Sequence, residues 1–268
     1  VMENNPKIKG IQTLSKIIGI GPKLAKTFYK MKIYDISMEV KEDMVVWKNK
    51  NIKKPKIDIT STIKKNSANE SRFHLDSHTG THVDAPFHFL QNGKKIDAVS
   101  VDKFLGECVV INLSNIKNRG IEKRDIIKAK IRKDDIVVLK TSNKYKKGFD
   151  FNFVYLAESG AKFLASKNIK GVGINALGIE RNQLSYNTHK SLLSKGIIIF
   201  EGLELSKIKP GRYFFIPSIA IPHSNPVSTV LTSSLKRLSD EIFPSLIISF
   251  SSLTSLTRES LVIVPLST

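Results

Sequence analysis

Residues 156–174 read Leu156-Ala-Glu-Ser-Gly160-Ala-Lys-Phe-Leu-Ala165-Ser-Lys-Asn-Ile-Lys170-Gly-Val-Gly-Ile174. Ala157, Ala161, Leu164 and Ala165 recur at the four- and three-residue intervals that line one side of a helix, which predicts a helix over 156–167. The uncharged run Gly171–Ile174 follows at once and reads as a strand. A helix leading straight into a strand is a repeating unit of α/β domains.

The same alternation continues on both sides. Toward the N-terminus the pattern predicts strands over 32–37 and 72–75, a buried strand over 107–113, and a strand over 136–139. Ile126, Ile127 and Ala129 give helical spacing to 122–130. Toward the C-terminus a helix is expected over 188–195, capped by Thr188 and stopped by Gly196. Strands are expected at 197–200 and over 213–221, the latter interrupted by Pro217. The fold class is therefore α/β with mixed strand pairing. The ends read differently. Residues 1–30 form a basic extension broken by Gly19, Gly21 and Pro22, and residues 232–268 form a Ser- and Thr-rich tail. This places one domain over 31–231 between two short terminal extensions.

Composition excludes several classes. The 268 residues are 41% hydrophobic and 25% charged, ample for a core and unlike a collagen-like or disordered chain. One cysteine, Cys108, forbids an internal disulfide or a cysteine-based zinc finger and suggests a reducing compartment. No apolar run approaches the 18 or so residues of a spanning helix, and no leader pattern stands at the start, so the expectation is a cytoplasmic protein without a membrane partner. The formal charge of +19 is carried mostly by scattered lysines rather than by clustered arginines. Such a distribution serves solubility and the attraction of an anionic substrate better than base readout.

The chemistry concentrates in one segment. Four of the six histidines fall in His74-Leu-Asp-Ser-His78-Thr-Gly-Thr-His82-Val-Asp84-Ala-Pro-Phe-His88. His78, His82, Asp84 and His88 are residue types that bind zinc and other transition metals. Gly80 and Pro86 argue against one helix, so the spacing belongs to an extended and turning backbone. On such a backbone His82 and Asp84 point the same way, and the Thr79-Gly80-Thr81 turn can bring His78 beside them. The Thr hydroxyls could support the ligands, and His74 reads as structural.

The string from His78 to His88 resembles the His-x-Gly-Thr-His-x-Asp-x-Pro-x-His signature of the cyclase family, which includes bacterial kynurenine formamidases and isatin hydrolases. Asp35-Ile36-Ser37, Trp47, Gly93 and Gly106 sit where that family has its flanking features. Thr188-His189-Lys-Ser-Leu-Leu and Phe200-Glu201-Gly202-Leu203 resemble its two later blocks. The resemblance spans Met31 to about Leu231 and implies a mixed-sheet, swivelling β/α/β domain. It further implies two divalent metals, zinc or manganese: one on His78 and His82, with Asp84 bridging to a second on His189 and Glu201. His88 would be the general acid/base, and Trp47, Phe87 and Phe89 would line an aromatic substrate. The implied reaction is hydrolysis of a C–N amide bond, as in N-formylkynurenine or a cyclic amide such as isatin, by a homodimer or homotetramer. Two features depart from the family: His223-Ser-Asn-Pro226-Val-Ser228 replaces its usual late block, and Asn175 stands where Asp is common. His223 is an extra histidine that reads as a solvated loop residue. Separately, Ile18-Gly-Ile-Gly21-Pro-Lys-Leu-Ala25 resembles the hairpin of a helix-hairpin-helix motif, as in family X DNA polymerases. Together with the charge, it leaves nucleic-acid binding as the alternative from a different class.

Overall fold

Val137, Val138, Leu139, Val172, Ile174, Ile198, Ile199 and Phe200 are all fully buried, and strands buried on both faces are what a central parallel sheet requires. The computed structural model describes residues 34–145, 148–219 and 259–265. In chain order the strands are β1 (Tyr34–Asp35), β2 (Lys56–Ser61), β3 (Glu70–His74), β4 (His82–Asp84), β5 (Gly106–Leu113), β6 (Gly120–Ile121), β7 (Ile136–Thr141), β8 (Tyr155–Leu156), β9 (Gly171–Ile174), β10 (Ile198–Glu201), β11 (Gly211–Ile219) and β12 (Glu259–Pro265). The helices are α1 (Ile63–Asn66), α2 (Lys123–Ile126), α3 (Glu158–Ala165) and α4 (Asn187–Leu193).

The main sheet has the order β1-β12-β11-β5-β7-β9-β10-β4. Its centre, β5-β7-β9-β10, is parallel. β11 and β4 flank that centre antiparallel, so the sheet is mixed as the sequence predicts. Side chains alternate between its faces with period two. Val109, Val137, Leu139, Val172, Ile174 and Ile199 point to one face and pack with Ile126, Ala161, Leu164 and Leu192 from α2, α3 and α4. Cys108, Val110, Ile136, Val138, Ile198, Phe200 and Phe215 belong to the other layer, where Ile36, Leu203, Leu205 and Ile208 pack with them. The two faces thus define two core layers, and the helices sit on one of them.

Several elements differ from the sequence expectation for local reasons. The helix expected over 156–167 begins at Glu158, because Tyr155 and Leu156 pair in parallel with Gly120 and Ile121. The helix expected over 122–130 is only α2. A Glu122/Asp125 capping box starts it, but the apolar row stops at Ile126 because Ile127 is half exposed. Thr188 does not cap α4. Tyr186, in the left-handed region at φ 48°, takes the cap position, and the Thr188 hydroxyl donates to Leu156 O at 2.8 Å. β4 and β12 were not legible as strands. The helix-hairpin-helix-like segment, the 223–228 block with His223, and the expected tail apart from β12 lie outside the described residues. Among the described residues no helix is long and apolar enough to cross a membrane.

Candidate metal centre

Edge strand β4 pairs antiparallel with β10, and Glu201 stands directly opposite His82. Cross-strand partners share a face, so this register alone puts His82, Asp84 and Glu201 on one side of the sheet. The site also lies at the carboxyl end of parallel β10, where open α/β sheets place ligands. His82 Nε2 is 3.3 Å from Glu201 Oε2 and 3.8 Å from Asp84 Oδ1. Gly80, at φ +64°, turns the preceding chain, and His78 Nδ1 arrives 2.9 Å from His82 Nε2 and 3.3 Å from Asp84 Oδ1. From α4, His189 Nε2 reaches within 3.7 Å of both Asp84 Oδ2 and Glu201 Oε1.

Ligand atoms of His78, His82, Asp84 and Glu201 all lie within 4.8 Å of one another, as do those of Asp84, His88 and His189. The two groups share Asp84. The resemblance pairs Glu201 with His189 and keeps His88 apart; in the structure Glu201 lies within reach of both His82 and His189, and His88 joins the second group. The His88 ring lies 4.4 Å from that of His78 and 5.9 Å from that of His189.

The surroundings hold this arrangement. His82 Nδ1–H donates to Gly80 O at 3.0 Å, which leaves Nε2 facing the carboxylates. Thr81 ties three segments together: its hydroxyl donates to Gly202 O at 2.6 Å and accepts from Met38 N at 2.8 Å. It therefore anchors backbone rather than a histidine ring, and among the described residues the buried Thr79 hydroxyl has no hydrogen-bond partner. Gly202, at φ +69°, crosses so close to Gly80 that a Cβ there would overlap the Gly80 carbonyl.

The aromatic residues separate. Phe89 stacks on the His189 ring with centroids 4.1 Å apart. Trp47 packs edge-on against Phe149 at 4.8 Å and over Gly178. Phe87 is half exposed beneath the Lys95 ammonium. His74 pairs with Asp58 at 3.0 Å, away from the site. Asn175 is structural: its Oδ1 accepts from Thr141 N and Oγ1, and its Nδ2 donates to Thr141 O and Asn143 O.

Electrostatics divide the histidines. Burial disfavours the charge on His82, but Glu201 and Asp84 outweigh it and raise the group to about 9. His189 rises against the same burial to about 11 through Asp84, Glu180 and Glu201. Burial opposes the Glu201 charge as well, yet the two histidines hold it below the usual carboxylate range. Desolvation lowers His78 and His88, with neighbouring histidines adding to it.

Asp84 is the sharpest test of whether a cation fits. Its side chain is 1% exposed, and among the described residues its oxygens have no aligned hydrogen-bond donor, only histidine nitrogens at 3.3 to 3.8 Å. A buried carboxylate needs a counter-charge; without a metal the raised His82 and His189 must supply it as imidazolium, and a divalent cation among the same atoms would supply it while leaving the histidines neutral. Imidazole nitrogens and carboxylate oxygens converging on it form a donor set suited to zinc or manganese. The residues present fit a divalent metal.

Sequence reasoning missed the turn between β9 and α4. Ile179 N–H donates to Glu201 Oε1, Gly202 N–H donates to Ala176 O, and buried Glu180 accepts from His189 N at 2.9 Å. The only signal was a single acidic residue closing the run Ala176-Leu-Gly-Ile-Glu180.

The Cyclase family profile matches residues 34–181. The kynurenine formamidase of Bacillus thuringiensis subsp. konkukian (strain 97-27) is 28% identical over 184 residues, covering 68% of this chain and 87% of that protein. A solved structure described as a potential metal-dependent hydrolase with cyclase activity superposes with a TM-score of 0.66 at 33% identity, over 89% of this chain and 100% of that one. An isatin hydrolase bound to the product analogue thioisatinate shares the fold at a TM-score of 0.66 and 18% identity, over 94% of this chain and 98% of that one. With the signature from His78 to His88 spanning the turn, β4 and the bend that follows it, and the profile covering more than half of the sequence, the chain belongs to the cyclase family.

Proposed function

We propose that this protein is a metal-dependent hydrolase that cleaves a C–N amide bond in a small aromatic substrate, with N-formylkynurenine, hydrolysed to kynurenine and formate, as the first candidate. The observation that carries the proposal is Asp84: a buried carboxylate that, among the described residues, is shared by two converging groups of histidine and carboxylate ligand atoms. His78, His82, Asp84, His189 and Glu201 would hold up to two divalent ions, Asp84 lying between the two groups. A bound divalent ion supplies a water of lowered pKa and polarises a carbonyl oxygen.

The chain's own residues do the rest. His88 is the exposed histidine of the site, and partial desolvation together with its histidine neighbours lowers it from the ordinary histidine value. This favours the neutral imidazole, whose ring nitrogen can take a proton from water and return it to the leaving amine. Phe89 and Trp47 supply aromatic surface, although Phe89 spends one face on His189. Phe87 is the weakest of the three as a substrate contact, because it turns outward under Lys95.

The test is elemental analysis of protein purified without chelator, followed by assays on N-formylkynurenine and isatin. Wild type is expected to carry zinc or manganese approaching two per chain. Asp84→Asn, which keeps the shape and removes the charge, is expected to lose most of the metal and at least about 100-fold in activity. Full metal content and full hydrolysis in Asp84→Asn would overturn the assignment. Turnover of isatin but not of the formamide would move the substrate to the cyclic amides.

A further inference from the structure

Glu180 is a buried charge that the proposed chemistry does not use. It is 2% exposed, and it lies on the turn between β9 and α4 rather than among the signature residues. Among the described residues its polar contacts converge on His189: Oε2 accepts from the His189 backbone N–H at 2.9 Å and lies at an ion-pair distance of 3.3 Å from Nδ1 of the same side chain, which has no aligned hydrogen bond of its own. Oε1 has no hydrogen-bond partner among the described residues. A buried carboxylate held this way is costly compared with an apolar residue of the same size, so helix capping alone is a poor return for it.

The geometry at His189 gives the carboxylate a use. An imidazole can offer a lone pair at Nε2 only if the proton sits on Nδ1, and a carboxylate facing Nδ1 favours that tautomer while fixing the ring plane. Nε2 of His189 is the atom aimed at Asp84 and Glu201, and Phe89 stacks on the ring face. His82 is oriented the same way through Gly80 O, but by a neutral carbonyl. The neighbouring Ile179 N–H meets Glu201 Oε1, so consecutive residues of one turn touch both His189 and Glu201. We propose that Glu180 is a positioning residue that orients His189 toward the metal centre, so that residues 179–180 set the geometry of the His189 side of the site. The inference rests on the metal-centre reading above.

The experiment compares wild type with Glu180→Met, which keeps the volume without an acceptor, and Glu180→Gln, which keeps an oxygen. Zinc and manganese titrations of each full-length protein are read alongside Tm and crystal structures of the metal-free forms. In Glu180→Met, affinity at the His189 side is expected to fall about 10- to 100-fold while the His78/His82 side keeps its affinity. Stoichiometry would then drop toward one ion per chain at limiting metal. The metal-free crystal structure is expected to show the His189 ring rotated away from Asp84. Glu180→Gln should recover most of the affinity and the ring position. A lowered Tm with both metal affinities and the ring position unchanged would reduce Glu180 to a helix cap and overturn the inference. If wild type bound no metal yet the ring still rotated in Glu180→Met, the metal-centre reading would fall and the positioning role would stand.

Discussion

Within one site, histidines of identical chemistry are driven in opposite directions by what they face. His82 and His189, turned toward Glu201 and Asp84, are raised to about 9 and about 11, whereas desolvated His78 and His88 are lowered. A group whose folded value is raised stabilises the fold most below its unfolded value near 6.5, and that contribution is lost as pH climbs through the folded value. Metal-free protein should therefore lose thermal stability between about pH 7 and pH 11 from these two residues. Metal requires the neutral imidazole, so the stabilisation gained on adding metal should grow over the same range. Thermal melts with chelator and with added zinc at pH 6, 8 and 10 check both trends. A chelated protein that becomes more stable on going from pH 7 to 10 would contradict the assignment of these shifts. The residue types from His78 to His88 were legible in sequence because ligand chemistry narrows the choice. Glu180 was not, because one glutamate in a turn has no pattern until its burial is known.

At the level of elements, the site depends on how closely β4 and β10 approach through their ends. Gly202 at φ +69° leaves β10 where a side chain would run into the Gly80 carbonyl, and Gly80 is itself the turn that brings in His78. Gly202→Ala would combine a strained backbone with a steric overlap, and we expect it to cost at least about 2 kcal/mol and to lower Tm by about 4 °C or more. Metal content should fall with it, because moving the end of β10 moves Glu201 away from His82. Elemental analysis and a thermal melt of the variant read both effects, and an unchanged Tm with full metal would show that the crossing tolerates displacement. The central strands were readable as apolar runs. β4 was not, since His82-Val-Asp84 carries polar residues at two of its three positions and becomes a strand only by pairing with β10. Helix starts were misread for a related reason. Thr188 has the composition of a cap, yet its hydroxyl is drawn to Leu156 O by packing against β8.

On the scale of the whole molecule, the sheet divides its strands' side chains into two core layers, and Cys108 lies in the layer away from the helices, fully buried. Burial pushes its thiol up to about 12, which leaves almost no thiolate at neutral pH. Native protein should therefore be inert to a thiol reagent at pH 8, and its labelling rate in increasing urea should report opening of the sheet rather than local fraying. Stoichiometric labelling within minutes in the absence of denaturant would show that β5 opens on its own.

The fold class, the central strands and the residue types of the signature were readable along the chain, because periodicity and ligand types are local properties. The sequence also carried the family, since a long motif with fixed spacing survives divergence elsewhere. Which residues converge was set by folding. Glu201 meets His82 through strand register, Glu180 meets His189 through the path of a turn, and β12 enters the sheet from 259–265, far along the chain. Each of these depends on contacts between residues distant in sequence, and those contacts form only when the apolar faces of the sheet are buried.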